Sequence, residues 1–224
     1  MISPLGRPSR IAKNVRRPKI KIPHQSIRNG DKMPCSGREL PMPTVNRITS
    51  LTQAHATLLH CWIRLANFSN ESAPNSESPT TPTSDDQEYQ RNRFQRWLEQ
   101  WEAAFSVYLS TAMASMVNED ITESRILKTN HLACTIMASG VNTTASKSFD
   151  ADFNAILDLS SAVLRSRHQS ESPIDELSER RITRAGADLD VFQPLQLVCT
   201  YSSQEEVRRR AAELLMGYGL RLYP

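Results

Sequence analysis

The chain has 224 residues, of which 39% are hydrophobic, 23% charged and 6% aromatic, and its mean hydropathy is -0.47. This is an ordinary globular balance, and the small number of glycines disfavours a sheet of many strands, which needs tight turns. The net charge of +3 is unevenly placed, because residues 1–40 carry ten Lys/Arg against two Asp/Glu and the remainder carries 17 against 22. A basic arm therefore precedes a slightly acidic body.

The first 46 residues are predicted to be a disordered basic arm. Seven of the 13 prolines lie there, and proline interrupts both helix and sheet pairing. The stretch RPSRIAKNVRRPKIK at 7–21 is typical of a nuclear-import signal or of an arm that contacts DNA phosphates, and a basic tail without function is the third interpretation. Four side chains carry this candidate site: Arg16, Arg17, Lys19 and Lys21.

No segment is typical of export or membrane insertion. The basic N-terminus lacks the apolar stretch of a signal peptide, and the longest apolar run, LACTIMASGV, is about half the length of a bilayer span. The four cysteines are far apart and form no C-x-x-C pair. We therefore expect an intracellular protein with reduced thiols and no membrane contact.

The first helix is predicted over 50–68. Ser50 and Gln53 have the spacing of a capping box, and apolar residues then recur every three or four positions. The following segment, 69–87, is rich in Ser, Thr, Pro and Asn. Such a composition buries too little surface to offset chain entropy, so this segment is predicted to be a disordered linker.

Three longer helices are predicted next, over 89–116, 124–140 and 148–167. The first is the strongest, because its aromatic and aliphatic residues follow the spacing of one buried face. That face comprises Phe94, Trp97, Leu98, Trp101, Phe105, Tyr108 and Ala112. The helix at 124–140 is predicted to end at Gly140, and the order of charges in the helix at 148–167 favours its dipole.

The last helical segment contains three consecutive arginines, Arg208, Arg209 and Arg210. It follows an apolar piece at 191–199 that places Pro194 in the first turn of a short helix. A helix over 203–216 puts Glu205 four residues before Arg209 and Glu206 four before Arg210, the favourable orientation for ion pairs. The arginines are therefore predicted to form a solvated, paired face, since binding phosphate would need unpaired positive charge.

Two His/Cys pairs have the chemistry of zinc ligands: His60 with Cys61, and His131 with Cys134. Adjacent helical residues point about 100° apart, which makes joint ligation by the first pair awkward, so core packing is the preferred interpretation. The chain has no G-x-S-x-G, H-E-x-x-H, P-loop or G-x-G-x-x-G motif. We predict no metal site, no cofactor and no catalytic residue, and we expect that the protein is not an enzyme.

Four segments follow the order of segments in a known family. They are RITSLTQAHATLLHCWIRL (47–65), RWLEQWEAAFSVYL (96–109), ILKTNHLACTIMASG with SFDADFNAILDLSSAVL (126–164), and LDVFQPLQLVCTYSSQEEVRRRAAELL (189–215). Together they resemble the C-terminal regulatory region of fungal zinc-binuclear-cluster transcription factors, over roughly residues 45–217. Each segment is degenerate alone, and the six-cysteine zinc cluster of that family is missing from this chain.

The resemblance implies an all-α regulatory domain of irregularly packed helices at 47–217, in a nuclear protein, with the arm at 1–46 and a short tail at 218–224. The implied function is transcriptional regulation of a fungal secondary-metabolite gene cluster, through coregulators or another transcription factor, with only weak DNA contact from the arm. A shortened family member, a gene-model fragment and a relative that acts through partners are all open. The alternative function is that of a non-enzymatic helical interaction or scaffold protein.

Overall fold

A computed structural model describes residues 41–71, 84–140, 149–170 and 188–217. These residues form six α-helices, one 3₁₀ turn and no strand, so the all-α prediction is confirmed for them. The elements are α1 (Leu51–Glu71), α2 (Ser84–Ala112), the 3₁₀ turn (Met113–Ser115), α3 (Asn118–Ala138), α4 (Asp150–Ser170), α5 (Phe192–Tyr201) and α6 (Glu205–Gly217). The predicted arm up to residue 40, most of the predicted linker and the tail at 218–224 lie outside the described residues.

Helix α3 is the central element of the body. It packs against α1, α2, α4 and α5, and α6 is held by α4 and α5. A helix with four neighbours must bury side chains around most of its circumference. Its buried residues accordingly include polar ones as well as apolar ones: Ile126, Leu127, Thr129, Asn130, His131, Ala133, Cys134, Ile136 and Ala138.

The outer helices bury the apolar stripes that the sequence predicts. On α2 the largest buried side chain is Trp101, which is 0% exposed and stacks on Phe105 with ring centroids 4.6 Å apart. Phe153 of α4 and Leu58 of α1 are also 0% exposed. Burial of each such side chain is worth roughly 1.5–3 kcal/mol, so these stripes supply most of the driving force for packing the helices around α3.

Helix ends are fixed by local hydrogen bonds. At the start of α1 the Ser50 hydroxyl accepts the Gln53 N–H at 3.1 Å, which confirms half of the predicted capping box. The Gln53 side chain bonds the N–H of Thr49, however, rather than that of Ser50. Gly140 follows the end of α3 with φ of 65°, a left-handed conformation that suits glycine, and a Cβ there would meet the Arg91 guanidinium at 2.7 Å.

The described body includes residues from both segments that are predicted to be disordered. Helix α1 continues to Glu71 and α2 begins at Ser84, so both enter the predicted linker at 69–87. Asp85 and Asp86 in the first turn of α2 favour the positive end of its dipole. The body also extends before residue 47, because Val45 is 2% exposed.

Candidate functional site

The sequence-predicted site residues do not fall in the described part of the chain. Arg16, Arg17, Lys19 and Lys21 all lie within residues 1–40, outside it. The last residues of the predicted arm belong to the described body, where the Trp97 indole N–H donates to the Pro43 carbonyl at 2.7 Å. The nuclear-import and DNA-contact interpretations of the four basic residues therefore stay predictions.

A cleft between α2 and α3 is the strongest candidate site in the described residues. It has a volume of about 470 Å³. One wall is a stripe on α2 and the other a stripe on the antiparallel α3. The lining residues are Gln95, Leu98, Glu99, Glu102 and Ala103 on α2, and His131, Thr135 and Ser139 on α3. A hydrogen bond of 3.4 Å from Gln95 to Ser139 bridges one end.

Glu102 bridges the other end of the cleft and is bonded unevenly. Its Oε1 accepts hydrogen bonds from Lys128 of α3 and, at 3.4 Å, from Ser106. Its Oε2 is buried and has no hydrogen-bond partner among the described residues. One oxygen of this carboxylate is therefore hydrogen-bonded, whereas the other is buried without a hydrogen bond.

His131 faces the free oxygen of Glu102. Its Nε2 lies 3.1 Å from the Leu98 carbonyl, and because a carbonyl only accepts, Nε2 carries the proton. The other nitrogen, Nδ1, lies 3.4 Å from Glu102 Oε2, yet no hydrogen bond joins the two atoms. The ring also stacks on Trp101 with centroids 5.2 Å apart, which fixes its orientation.

Burial and neighbouring charges shift the pKa values of His131 and Glu102. Burial lowers the pKa of His131, and the charge of Glu102 only partly opposes this. Burial raises the pKa of Glu102, but the hydrogen bond from Lys128 and the positive charges of His131 and Lys128 outweigh it, so the net pKa is below its ordinary value. The pKa of each of the two groups therefore depends on the charge of the other.

The hydroxyl groups of the cleft are hydrogen-bonded to the backbone. Its two hydroxyl side chains donate to backbone carbonyls of α3, Thr135 to His131 at 3.0 Å and Ser139 to Thr135 at 2.9 Å. Neither hydroxyl donates to the imidazole, which would be needed to activate it as a nucleophile. Sequence reasoning missed Glu102, and the one signal was a carboxylate placed four residues after Leu98 and three before Phe105, within the predicted buried stripe.

The cysteines considered as zinc ligands meet in the core. Cys61 and Cys134 are both 0% exposed, and the pKa of the Cys134 thiol is raised well above its ordinary value by burial and by the hydrogen bond with Cys61. His131 bonds to α2 instead. Among the described residues no three His, Cys, Asp or Glu side chains are grouped so as to hold a metal ion.

The three arginines of α6 all have partners, although not those that the spacing predicts. Arg209 pairs with Glu206 at 2.6 Å and with Glu213. Arg210 reaches Asp158 of α4 at 3.4 Å, and Arg208 donates to the Ser202 carbonyl at 2.7 Å. The prediction of a paired face is confirmed, whereas the predicted pairs from Glu205 to Arg209 and from Glu206 to Arg210 are replaced by these contacts.

A second polar cluster ties three elements together. The His55 ring of α1 lies 2.8 Å from Glu123 of α3 through Nδ1 and 2.6 Å from Asp188 through Nε2. Carboxylates only accept, so both ring nitrogens carry protons and the ring is an imidazolium. The cluster joins α1 and α3 to the segment that leads into α5, which gives it a structural role.

Comparisons with known proteins leave the family open. No family model, no curated protein and no solved structure matches this chain. In the described ranges, no helix is both long and apolar enough to cross a membrane.

Proposed function

We propose that this protein regulates transcription, as part of the control of a fungal secondary-metabolite gene cluster. Its helical body would act as a regulatory domain that binds a coregulator or another transcription factor, and its arm would direct entry to the nucleus. The observation that carries the proposal is the packing of the four family-like segments. They contain most of α1, the centre of α2, most of α3 and α4, and α5 with most of α6, and all of these helices contribute to one core.

Deletion of the gene tests the regulatory role directly. We expect the transcripts of a co-regulated set of neighbouring biosynthetic genes to change when the gene is deleted and to recover when the full chain is restored. A transcriptome that is unchanged under conditions where the gene is expressed would refute the proposal. Any affinity of this chain for DNA should come from contacts between the basic arm and DNA phosphates. It should therefore fall steeply with salt.

Localisation of a fusion tests the arm. The full chain is fused to a tandem fluorescent protein that is too large to diffuse through nuclear pores. The variant Arg16→Ala, Arg17→Ala, Lys19→Ala, Lys21→Ala should remain outside the nucleus. A control removes the same charge from exposed positions of the body: Arg47→Ala, Arg96→Ala, Arg165→Ala and Arg210→Ala. The control should still enter, and entry of both variants would contradict an import role for the arm.

A helical interaction or scaffold protein without a role in transcription is the second candidate. The end of α2 and the turn after it expose apolar side chains: Val107 is 65%, Met113 65% and Val117 57% exposed. Large exposed apolar side chains in one stretch of the chain are a surface that a partner protein could cover. Retention of the wild-type fusion in the cytoplasm, with an unchanged transcriptome, would favour this candidate.

A further inference from the structure

We propose that a groove between α2 and the segment 41–48, which precedes α1, binds an acidic peptide segment of a partner protein. Carboxylates of that segment would pair with Arg93 and Arg96, and an aromatic or aliphatic side chain beside them would enter the groove. This inference rests on the proposed function, because it names the chemistry of the coregulator segment that the helical body would bind.

The groove is separate from the cleft between α2 and α3. It is lined by Met42 on one side and, on α2, by residues that include Tyr89, Arg93, Arg96 and Trp97. The Trp97 indole N–H donates to the Pro43 carbonyl at 2.7 Å, and Val45 and Ile48 of the same segment are 2% and 4% exposed. These contacts hold the segment against the body, so the groove is already formed before a partner binds.

The residue types in the groove are those of protein interfaces. Aromatic residues, Met and Arg are enriched at the centres of protein–protein interfaces, and Trp, Tyr and Arg contribute most to binding at such sites. The groove combines all of these types, and Tyr89 is 67% exposed, so most of its ring is accessible to a partner. The side-chain amides of Asn92 and Gln100 also line it and can both donate and accept hydrogen bonds with a peptide backbone.

The size of the groove suits the side chains of a docked peptide. Its volume is about 270 Å³. Pockets for small molecules usually enclose roughly 300–1,000 Å³ and surround most of the ligand. The groove is therefore better suited to a peptide that lies across it and inserts a side chain.

The charge of the groove selects an acidic partner. Arg93 and Arg96 are the only charged side chains that line it. Arg96 is exposed and forms no ion pair with another described residue. The residues that precede Met42 in the chain, 1–40, add ten Lys/Arg against two Asp/Glu. An acidic peptide is the complement of this charge.

The other charged side chains of α2 lie outside the groove. Glu99 and Glu102 line the cleft with α3 instead. The guanidinium of Arg91 lies beside Gly140 at the end of α3, where a Cβ on the glycine would meet it at 2.7 Å. The remaining three are carboxylates near the start of the helix: Asp85, Asp86 and Glu88.

This distribution of charge favours a peptide over a nucleic acid. Asp86 precedes Arg93 by seven residues, which is about 10 Å of helix rise. A continuous phosphate backbone laid along α2 would meet carboxylates and arginines in turn, whereas a peptide can place its carboxylates beside the arginines alone. We therefore assign the groove to an acidic peptide and treat nucleic acid as an outcome of the test.

Fluorescence anisotropy with the purified full chain tests the proposal. The probe is the fluorescein-labelled peptide DELDEFDELL. One control, NQLNQFNQLL, keeps the apolar side chains without the charge, and the other, DEGDEGDEGG, keeps the charge without the apolar side chains. We expect saturable binding of the probe, and binding of both controls that is weaker by about tenfold or more, because the groove needs both features.

A matched pair of double variants tests the two arginines. Arg93→Gln with Arg96→Gln should weaken binding of the probe by about tenfold or more, because charge-assisted hydrogen bonds are lost. Arg165→Gln with Arg210→Gln removes the same charge from exposed positions outside the groove and should bind as the wild type does. Thermal melts verify that both double variants are folded.

Three results would overturn the proposal. One is binding of the probe by the Arg93/Arg96 variant as tightly as by the wild type, which would assign the affinity to the arm alone. Another is equal binding of either control peptide. The third is tighter binding of a labelled oligothymidylate that the same variant weakens, which would make the groove a nucleic-acid surface. A transcriptome that responds to gene deletion, with no binding of the probe, would refute the groove and leave the regulatory role standing.

Discussion

Protonation of His55 is expected to stabilise the helical body, and the variant His55→Gln removes that contribution. The hydrogen bond to Glu123 raises the pKa of His55, burial partly lowers it, and the charges of Glu123 and Asp188 raise it further. The net pKa therefore lies above the value of about 6.5 that an unfolded chain would show. The folded state binds the proton more tightly than the unfolded state does, so the proton stabilises the fold.

The free energy that protonated His55 contributes depends on how exposed Glu123 and Asp188 are. A buried charge-assisted hydrogen bond contributes roughly 1.5–3 kcal/mol, but the Glu123 and Asp188 side chains are 34% and 58% exposed, so solvent screens both contacts. We therefore expect about 1–2 kcal/mol for the cluster as a whole. For a body of this size that corresponds to roughly 2–8 °C in Tm.

The way this stabilisation changes with pH distinguishes a protonated from a neutral ring at His55. The stabilisation should be fully present below about pH 6.5 and should be lost as the pH rises through the raised pKa of folded His55. Thermal melts of the wild type and of His55→Gln between about pH 5 and pH 8.5 measure this, and the difference in Tm should shrink with rising pH. The variant His168→Gln changes an exposed histidine of α4 and is the control. A difference in Tm that is constant with pH, or that grows with it, would refute an imidazolium at His55.

Three further experiments test the packing of the core. Trp101→Ala should lower the free energy of unfolding in urea by about 3–5 kcal/mol, whereas Tyr89→Ala, at a side chain 67% exposed, should stay within about 0.5 kcal/mol. Ser160→Ala should be neutral or stabilising by up to about 1 kcal/mol in the same assay, because the buried hydroxyl has no hydrogen-bond partner among the described residues, and a large loss would reveal one. A thiol-reactive reagent should modify Cys61 and Cys134 only after unfolding, as followed by peptide mass spectrometry, and rapid labelling of the native protein would contradict their burial.

The helices could be predicted from the sequence because their apolar stripes are long and regular. Phe94, Trp97, Leu98, Trp101 and Phe105 are all buried as the spacing predicts. Periodicity locates such a face because any packing partner must cover it, whichever helix that partner is.

The helix ends were predicted less well, since they depend on polar contacts that compete with solvent. Helix α3 begins at Asn118, six residues before the predicted start at 124, and the Asp120 carboxylate there accepts the Val117 N–H at 3.2 Å. Acidic residues in a first turn stabilise it through the dipole, but the same residues are common in loops. The start of α2 at Ser84 was missed for the same reason.

The candidate cleft could not be predicted, because it depends on how α2 and α3 are rotated against each other. Glu102 and Lys128 are 26 residues apart, and no local pattern in the sequence relates them. The sequence did single out His131, but as a packed or zinc-binding residue. Only the packed structure shows that its Nε2 bonds Leu98 and that its Nδ1 faces a carboxylate.

The buried polar atoms without hydrogen-bond partners are not equivalent, because their surroundings differ. An unpartnered buried acceptor costs roughly 1–3 kcal/mol. Ser160 does not line the cleft, so its cost can be removed only by substitution. Glu102 Oε2 and His131 Nδ1 are also buried, but they lie 3.4 Å apart, so their electrostatic interaction offsets part of the cost whenever the imidazole is protonated.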